Sequence, residues 1–563
     1  MQLAVRQEDA DVLLKQKNIL DEAILEKYRV AGQITQTGLT YIKSLINNSY
    51  HLTGSKVTIQ QLCLLADSFL TKLLSRQYVN TVNEKGIAHP TTINVNELIN
   101  GFAPEIDDER SFTFKEGDVV TISLGVHIDG YASQVSHTMV IYPPSPDFKP
   151  AGPLLGSNAD AICAAHVAVE TMVALLGSSL SPEKLPNNLK NPSNTITGQQ
   201  IRGLVDAIAD SFNCIVVPGS KIRRVRRFLA GQAEGVVAER DFKGVVWDES
   251  HQESRLLKQA TTSTELILQD SANKPTQTSN SSAVPTDEFV VLPGEVYQID
   301  IRMAGLQNIN EVGIITTEEI DHFTGKNNKQ DFNCKSSVFI RDFAVTHQLK
   351  LKTSRKLLSE IDNEFSVFPF KLDYVGKNFP INLESSDEEI KKQIEAIGQD
   401  MKSHRLGASE LTNRHLIKAK PIQITKFIPL EQILLTSNPT GKHGIDAAKP
   451  VLPGMEIPLP KLGISSLKLK ALLKHGKNIS NVRESTTVII NNNGDEVIRL
   501  TGGEKTAKPS WVHSQYKLAG EINEIVGHLI QLTKDKRFGI KVKEINPYKM
   551  KQSNMAVESM QLD

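Results

Sequence analysis

Cysteine is scarce in this chain. Cys63, Cys163, Cys214 and Cys334 stand far apart among 563 residues, with no C-x-x-C pair. Neither a zinc knuckle nor a disulfide framework is suggested, and four free, mostly buried thiols are expected. Net charge is lacking too, because 64 Lys plus Arg balance 64 Asp plus Glu. That argues against a histone-like polycation and an acidic solvating tail, although charge can still be segregated along the chain. No apolar run reaches the roughly 18 residues of a membrane span, so none is expected. The opening MQLAVRQEDADVLLKQKN has no apolar core of a secretory signal, so an intracellular setting is expected. Gly (35) and Pro (25) are near average, which removes collagen-like and wholly disordered readings. No long internal repeat, G-x-S-x-G elbow or P-loop occurs.

What is present reads as a globular α/β (α+β) chain with insertions. Apolar residues recur at helical intervals through 8–47, and 58–79, 158–178 and 198–212 are further helix candidates. Residues 119–142 are rich in β-branched residues and contain Asp129-Gly130, a favoured two-residue hairpin turn. Residues 288–302 read as strand, turn, strand. Centring the hairpin on that turn puts Ser123 and Gln134 on one sheet face, as diagonal neighbours. His127 and His137 then fall on opposite faces, on the order of 16 Å apart along the ladder, and cannot share a metal. Residues 251–286 are Ser/Thr/Asn/Pro-rich and read as a flexible insertion loop. Residues 425–482 read as an irregular insertion, and 547–563 as a flexible tail.

Charge is segregated. Lys221, Arg223, Arg224, Arg226 and Arg227 give five positives in seven residues with no acid among them. Phosphate contact is the functional reading; a solvated face paired with acids elsewhere and a nuclear-import signal are the alternatives. A second basic stretch holds Lys534, Lys536, Arg537, Lys541 and Lys543, and reads as a solvated tail or an RNA-draping segment. Asp107, Asp108 and Glu109 read as a solvated acidic loop. Ile433, Leu434, Leu435, Val451 and Leu452 read as apolar insertion residues packed on the body of the fold.

Several stretches carry a resemblance: EKYRVAGQI (26–34), AHPTTINVNELINGFAP (88–104), GDVVTISLGVHIDGYASQVSHT (117–138), PGEVYQID (293–300) and FPFKL (368–372). The chain resembles the methionine aminopeptidase (peptidase M24) superfamily. Its VVPGSKIRRVRRFLAGQAEG (216–235) and LTGGEKTAKPSWVHSQ (500–515) look like the proliferation-associated branch and the fungal export factors of the pre-60S ribosomal particle. The resemblance implies a pita-bread core from 1–250 and 287–424, completed by closing strands and a C-terminal helix in 483–546. The family's two Asp metal ligands fall on Ser123 and Gln134, its His on Gln232, and its two Glu on Asp300 and Ser485, with Glu484 one residue from the last. The substrate-binding His falls on Gly101. One convincing carboxylate among them implies no metal, no cofactor and no peptidase reaction. What remains is a ribosome-biogenesis factor that shuttles between nucleus and cytoplasm. Its implied partners are the pre-60S particle (rRNA and exit-region ribosomal proteins), nucleoporins, and export and recycling factors, with no membrane. An active metalloaminopeptidase and a proliferation-associated-type RNA-binding regulator are the alternatives.

Overall fold

A computed structural model describes residues 16–108, 110–146, 149–190, 196–227, 244–249, 289–306, 311–320, 335–365, 367–429, 476–535 and 537–549, with residues 12, 251–252, 255, 309, 432 and 472–474 between them. Helix α1 (Glu22–Ile46) begins at Asp21, whose carboxylate caps it by accepting from Ile24 N at 2.7 Å, so the helical reading of 8–47 is interrupted there. Helix α2 (Ile59–Ser75) opens on a capping box in which Thr58 and Gln61 serve each other's backbone.

Strands β1 (Lys85–Val95) and β2 (Leu98–Asn100) follow, then the hairpin of β3 (Val119–Ile128) and β4 (Tyr131–Val140). Asp129 and Gly130 both take positive φ (54° and 79°), as a primed hairpin turn requires. The register is the expected one, with Ser123 opposite Ser136 and Ile122 opposite His137.

Helices α3 (Ser157–Ser178) and α4 (Gly198–Ser211) lead to β5 (Cys214–Val216), β6 (Lys221–Val225), β7 (Gly244–Val246), β8 (Val296–Gly305) and β9 (Gly313–Ile320). Residues 289–292 do not form the first strand of the expected pair. A smaller unit follows, with β10 (Val338–Arg341), α5 (Lys352–Glu364), β11 (Phe370–Lys371), α6 (Asp387–Asn413) and β12 (Ile417–Ala419). Then come β13 (Ile422–Pro429), β14 (Lys477–Asn478), β15 (Val482–Ile490), β16 (Glu496–Arg499), α7 (Gly520–Lys534) and β17 (Lys541–Glu544).

The main sheet runs β1-β3-β4-β15-β8-β6-β7, with β16 beside β15, β17 beside β16 and β5 beside β8. Its pairings are antiparallel except β16–β17. One hydrophobic core gathers α1, α2, β1 and β3, and a second gathers α3, α4, α7, β8 and β15. This is the pita-bread arrangement, helices packed in two halves on one face of a shared sheet. Helix α3 is long and apolar enough to cross a membrane by composition, but most of it is buried against β8 and β15.

Two segment boundaries move. Residues 425–429 belong to β13, paired with β9 along its whole length, so the irregular insertion cannot begin at 425. Most of that segment, with Ile433, Leu434, Leu435, Val451 and Leu452, lies outside the described residues, as does nearly all of 251–286. Tyr548 is not part of a free tail: its N–H donates to Thr37 Oγ1 at 2.9 Å and its ring packs on the first core. Cys63, Cys163 and Cys214 are buried and free, and burial pushes the Cys63 thiol up to about 12.

Candidate functional site

Alternation along five strands builds one polar face. Side chains two apart share a face, and directly opposed residues share it across strands. The register therefore lays Ser123 (β3), Ser136 (β4), Ser485 (β15), Asp300 (β8) and Lys221 (β6) in a single row across the sheet. One row on one side holds Gln134, Thr487, Gln298 and Arg223, and the row on the other holds Thr121, Thr138, Arg483 and Arg302. Four of the five family metal positions, Ser123, Gln134, Asp300 and Ser485, thus converge on this face. Gln232 lies outside the described residues.

Several polar groups on this face bond to one another. Ser123 Oγ and Ser136 Oγ are 2.8 Å apart. Arg223 Nε donates to Gln298 Oε1 at 3.1 Å, and Gln298 Nε2 donates to Gln134 Oε1 at 2.9 Å. Asp300, fully buried, is held by Arg483 through two bonds, Nε to Oδ1 at 2.7 Å and Nη2 to Oδ2 at 2.9 Å. Arg302 Nη2 approaches Oδ2 at 3.4 Å. Burial alone would raise the Asp300 carboxyl; the charges of Arg483 and Arg302 outweigh it and hold the group well below the usual carboxylate range. A bidentate guanidinium fits a carboxylate closely. Here it occupies the lone pairs that a metal would need.

Glu484 does not rescue the set. It faces the other side of the sheet, where its carboxylate accepts from Thr138 N at 2.9 Å and lies 3.1 Å from His137 Nδ1. Lys43 of α1 reaches the other ring nitrogen at 3.4 Å. His127 lies on the face opposite to His137. It stacks on Phe368 at 4.1 Å and lines a cavity of about 640 Å³ with Phe365, Tyr374 and Phe379. Two divalent cations need several anionic oxygens. A face offering two serines, a glutamine and an arginine-clamped aspartate does not fit them. Among the described residues, no three His, Cys, Asp or Glu side chains gather as a metal site.

The substrate subsite is altered as well. Gly101 has φ +83°, and a Cβ there would meet the carbonyl oxygen of Pro421 at 2.8 Å. A histidine cannot stand where the backbone of the β12–β13 link now passes. Lys420, on that link, is lowered to about 8 by burial and by the nearby charges of Arg223 and Arg483.

The basic run at 221–227 is not a free cationic surface. Arg226 makes two bonds to Glu295, at 2.6 and 2.9 Å. Arg227 pairs with Asp129 at 2.5 Å, and Arg224 donates to the Val290 carbonyl at 3.0 Å. Strand parity turns Lys221 and Arg223 toward Asp300 and Gln298. Glu295, Asp129 and Asp300, the acids described against this run, all lie outside it, so the segment looks unpaired when read alone.

The second basic stretch is not a loose tail. Lys534 ends α7, and Lys541 and Lys543 lie on β17, an edge strand. Lys534, Arg537, Lys541 and Lys543 are exposed, with Phe538, 79% exposed, among them. Lys541 reaches Glu496 at 3.3 Å. Lys536 lies outside the described residues. The acidic loop is also engaged: Arg405 is gripped by Glu105 and Asp107, and Asp108 pairs with Arg110 at 2.9 Å.

Comparison with known proteins agrees with this architecture. Residues 26–177 match the metallopeptidase family M24. The chain is 79% identical over 565 residues to "Probable metalloprotease ARX1" of Candida albicans, covering all of both chains. It is 48% identical over 596 residues to the protein of the same name in Saccharomyces cerevisiae, covering 99% of each. A solved structure, "Structure of a thermophilic Arx1", superposes with a TM-score of 0.53 at 18% identity, covering 91% of this chain and 98% of that one, which shows a shared fold.

Proposed function

The chain belongs to the ARX1 family of M24 metallopeptidase-like proteins, and from that premise we propose that it is a non-catalytic member: a ribosome-biogenesis factor that uses the peptidase fold as a docking body. The observation that carries the non-catalytic part is the Asp300–Arg483 pair in the middle of the metal row. Without a metal-activated water and a Lewis acid, the peptidase reaction loses its nucleophile and its electrophile. In this reading the protein binds late nuclear pre-60S particles near the polypeptide exit, passes with them through the pore by way of nucleoporins, and is released in the cytoplasm by recycling factors. The similarity of 216–235 and 500–515 to fungal export factors supports it. So does the exposed cluster of Lys534, Arg537, Lys541 and Lys543 around Phe538, which offers phosphate contacts and one stacking ring.

The names of the relatives favour a second reading, an active metallopeptidase. Divalent-metal titration with an N-terminal Met-peptide assay decides between the two. We expect no stoichiometric metal and no turnover; tightly bound metal with turnover would sink the non-catalytic reading. For the ribosomal part, the protein should sediment with pre-60S particles and not with polysomes. Replacing Lys534, Arg537, Lys541 and Lys543 together by Gln should flatten the dependence of log affinity on log salt. The expected change is about 0.7–0.9 per lost phosphate contact. An unchanged slope would remove this surface from the interface.

A further inference from the structure

We infer that the aromatic cavity beside the hairpin turn is a docking pocket for an arginine side chain of a basic partner polypeptide. The cavity, of about 640 Å³, is not the old peptidase centre: none of Ser123, Gln134, Asp300, Ser485 or Gly101 lines it. Its walls are rings. Phe365, Phe368, Tyr374 and Phe379 line it, together with Phe343, which is 49% exposed. Tyr374 and Phe379 stack at 5.0 Å, and Phe368 stacks on His127 at 4.1 Å. Ring faces attract a cation, and a flat guanidinium covers them better than a compact ammonium does.

The charge of the lining calls for a cation. Glu84, Asp362 and Glu364 line the cavity, and Lys85 is the one lysine or arginine among its lining residues. Lys85 Nζ donates to the Gln77 carbonyl. Asp362 Oδ1 already holds Arg341 Nε at 2.8 Å, but neither Glu84 nor Glu364 has an ion-pair partner among the described residues. Burial and the neighbouring Glu360 raise the Glu364 carboxyl, as befits an acid with no cation beside it. His127 does not cancel this charge, because burial lowers its ring to about 3 and keeps it neutral. The chain's own Arg341 displays the same chemistry here: its guanidinium lies 5.0 Å from the centre of the Phe343 ring while it pairs with Asp362.

A buried donor adds an independent sign that the guest is a polypeptide. His127 Nδ1 accepts from Gly130 N at 3.3 Å, so the ring proton sits on Nε2. His127 is 4% exposed, and its Nε2 has no hydrogen-bond partner among the described residues. That nitrogen lies over Gly86, which also lines the cavity; a Cβ there would come within 3.3 Å of it. Without that Cβ the N–H stays open, and a backbone carbonyl of the guest is a fitting acceptor. Asp362 and Glu364 are exposed, so the pocket can be reached from solvent.

Peptide binding is measured on the isolated protein, so its outcome is separate from that of the ribosomal reading. The probes are the blocked peptide acetyl-Gly-Ala-Arg-Ala-Gly-amide and its citrulline counterpart, titrated by calorimetry. Citrulline keeps the shape of arginine and loses its charge. We expect saturable binding of the arginine peptide and about tenfold weaker binding of the citrulline peptide. Glu84→Gln combined with Glu364→Gln should weaken the arginine peptide by about tenfold as well and leave the citrulline peptide unchanged. Neither acid holds a described ion pair, so the variant should keep the parent's urea midpoint. Equal affinity for the two peptides, no saturation by about 1 mM, or arginine binding that the two glutamines leave unchanged would each overturn the pocket.

Discussion

Arg483→Met is expected to lower folding stability by about 3–5 kcal/mol, the range for removing one partner of a buried ion pair. The residue left behind decides the size of the effect. Asp300 is fully buried, and without Arg483 its nearest cationic hydrogen bond is the 3.4 Å approach of Arg302. Asp300→Asn should be harmful for the mirror reason, since Arg483, Arg302 and Lys221 would face one another across the strands without the carboxylate between them. The double variant, Arg483→Met with Asp300→Asn, removes both charges and should recover most of the loss. Urea unfolding of the four proteins in the cycle measures this directly. A strongly non-additive cycle is expected. Additive losses would mean that the pair is not coupled, and that the two residues matter only for packing. The same cycle bears on function, because a protein that relies on this pair for its fold cannot give Asp300 to a metal.

The hairpin was legible in the sequence because one local signal sets its register. Asp129-Gly130 fixes the turn, and period-two alternation then assigns every residue of β3 and β4 to a face. The shared face of Ser123 and Gln134 followed from the same reading, and the family resemblance then marked the two as metal positions. The clamp on Asp300 was not legible. It needs β15 to lie against β8, bringing together residues 183 positions apart. The motif that places Ser485 begins at Glu484, one residue short of Arg483. A signal was nevertheless present: Arg483-x-Ser485-x-Thr487 and Gln298-x-Asp300-x-Arg302 each put an arginine two residues from a metal position, hence on the same face. The partners of Arg226 and Arg227 were hidden for a related reason. A cationic run shows its own charge in sequence, but Glu295 and Asp129 come from distant strand ends.

Acid should destabilise the protein steeply between about pH 6.5 and pH 4, well before its ordinary carboxylates titrate. Burial lowers His89 and His127 to about 3 and His51 to about 4. His137 is lowered by burial and by Lys43, with Glu484 opposing. His89, His127 and His51 therefore stay neutral in the fold through most of that window. His127 Nδ1 accepts from Gly130 N at 3.3 Å, a bond that a protonated nitrogen cannot accept. In the unfolded chain all four take up protons near pH 6.5, so below that value the unfolded state holds more protons and stability falls with pH. Two buried acids work the other way. Burial raises Glu105 to about 7, and Asp373 is raised as well. These groups gain protons in the fold as pH falls and offset part of the loss. Three imidazoles, those of His89, His127 and His51, against the Glu105 carboxyl leave a net slope of roughly 2–3 kcal/mol per pH unit, at about 1.4 per proton, to which His137 and Asp373 contribute in opposite directions. Urea midpoints at several pH values and constant ionic strength give that slope. His127→Phe, which keeps a ring against Phe368, should flatten it by about 1.4 kcal/mol per pH unit, whatever it does to stability at neutral pH. A variant with the parent's slope would show that His127 is not one of the groups whose neutrality the fold depends on.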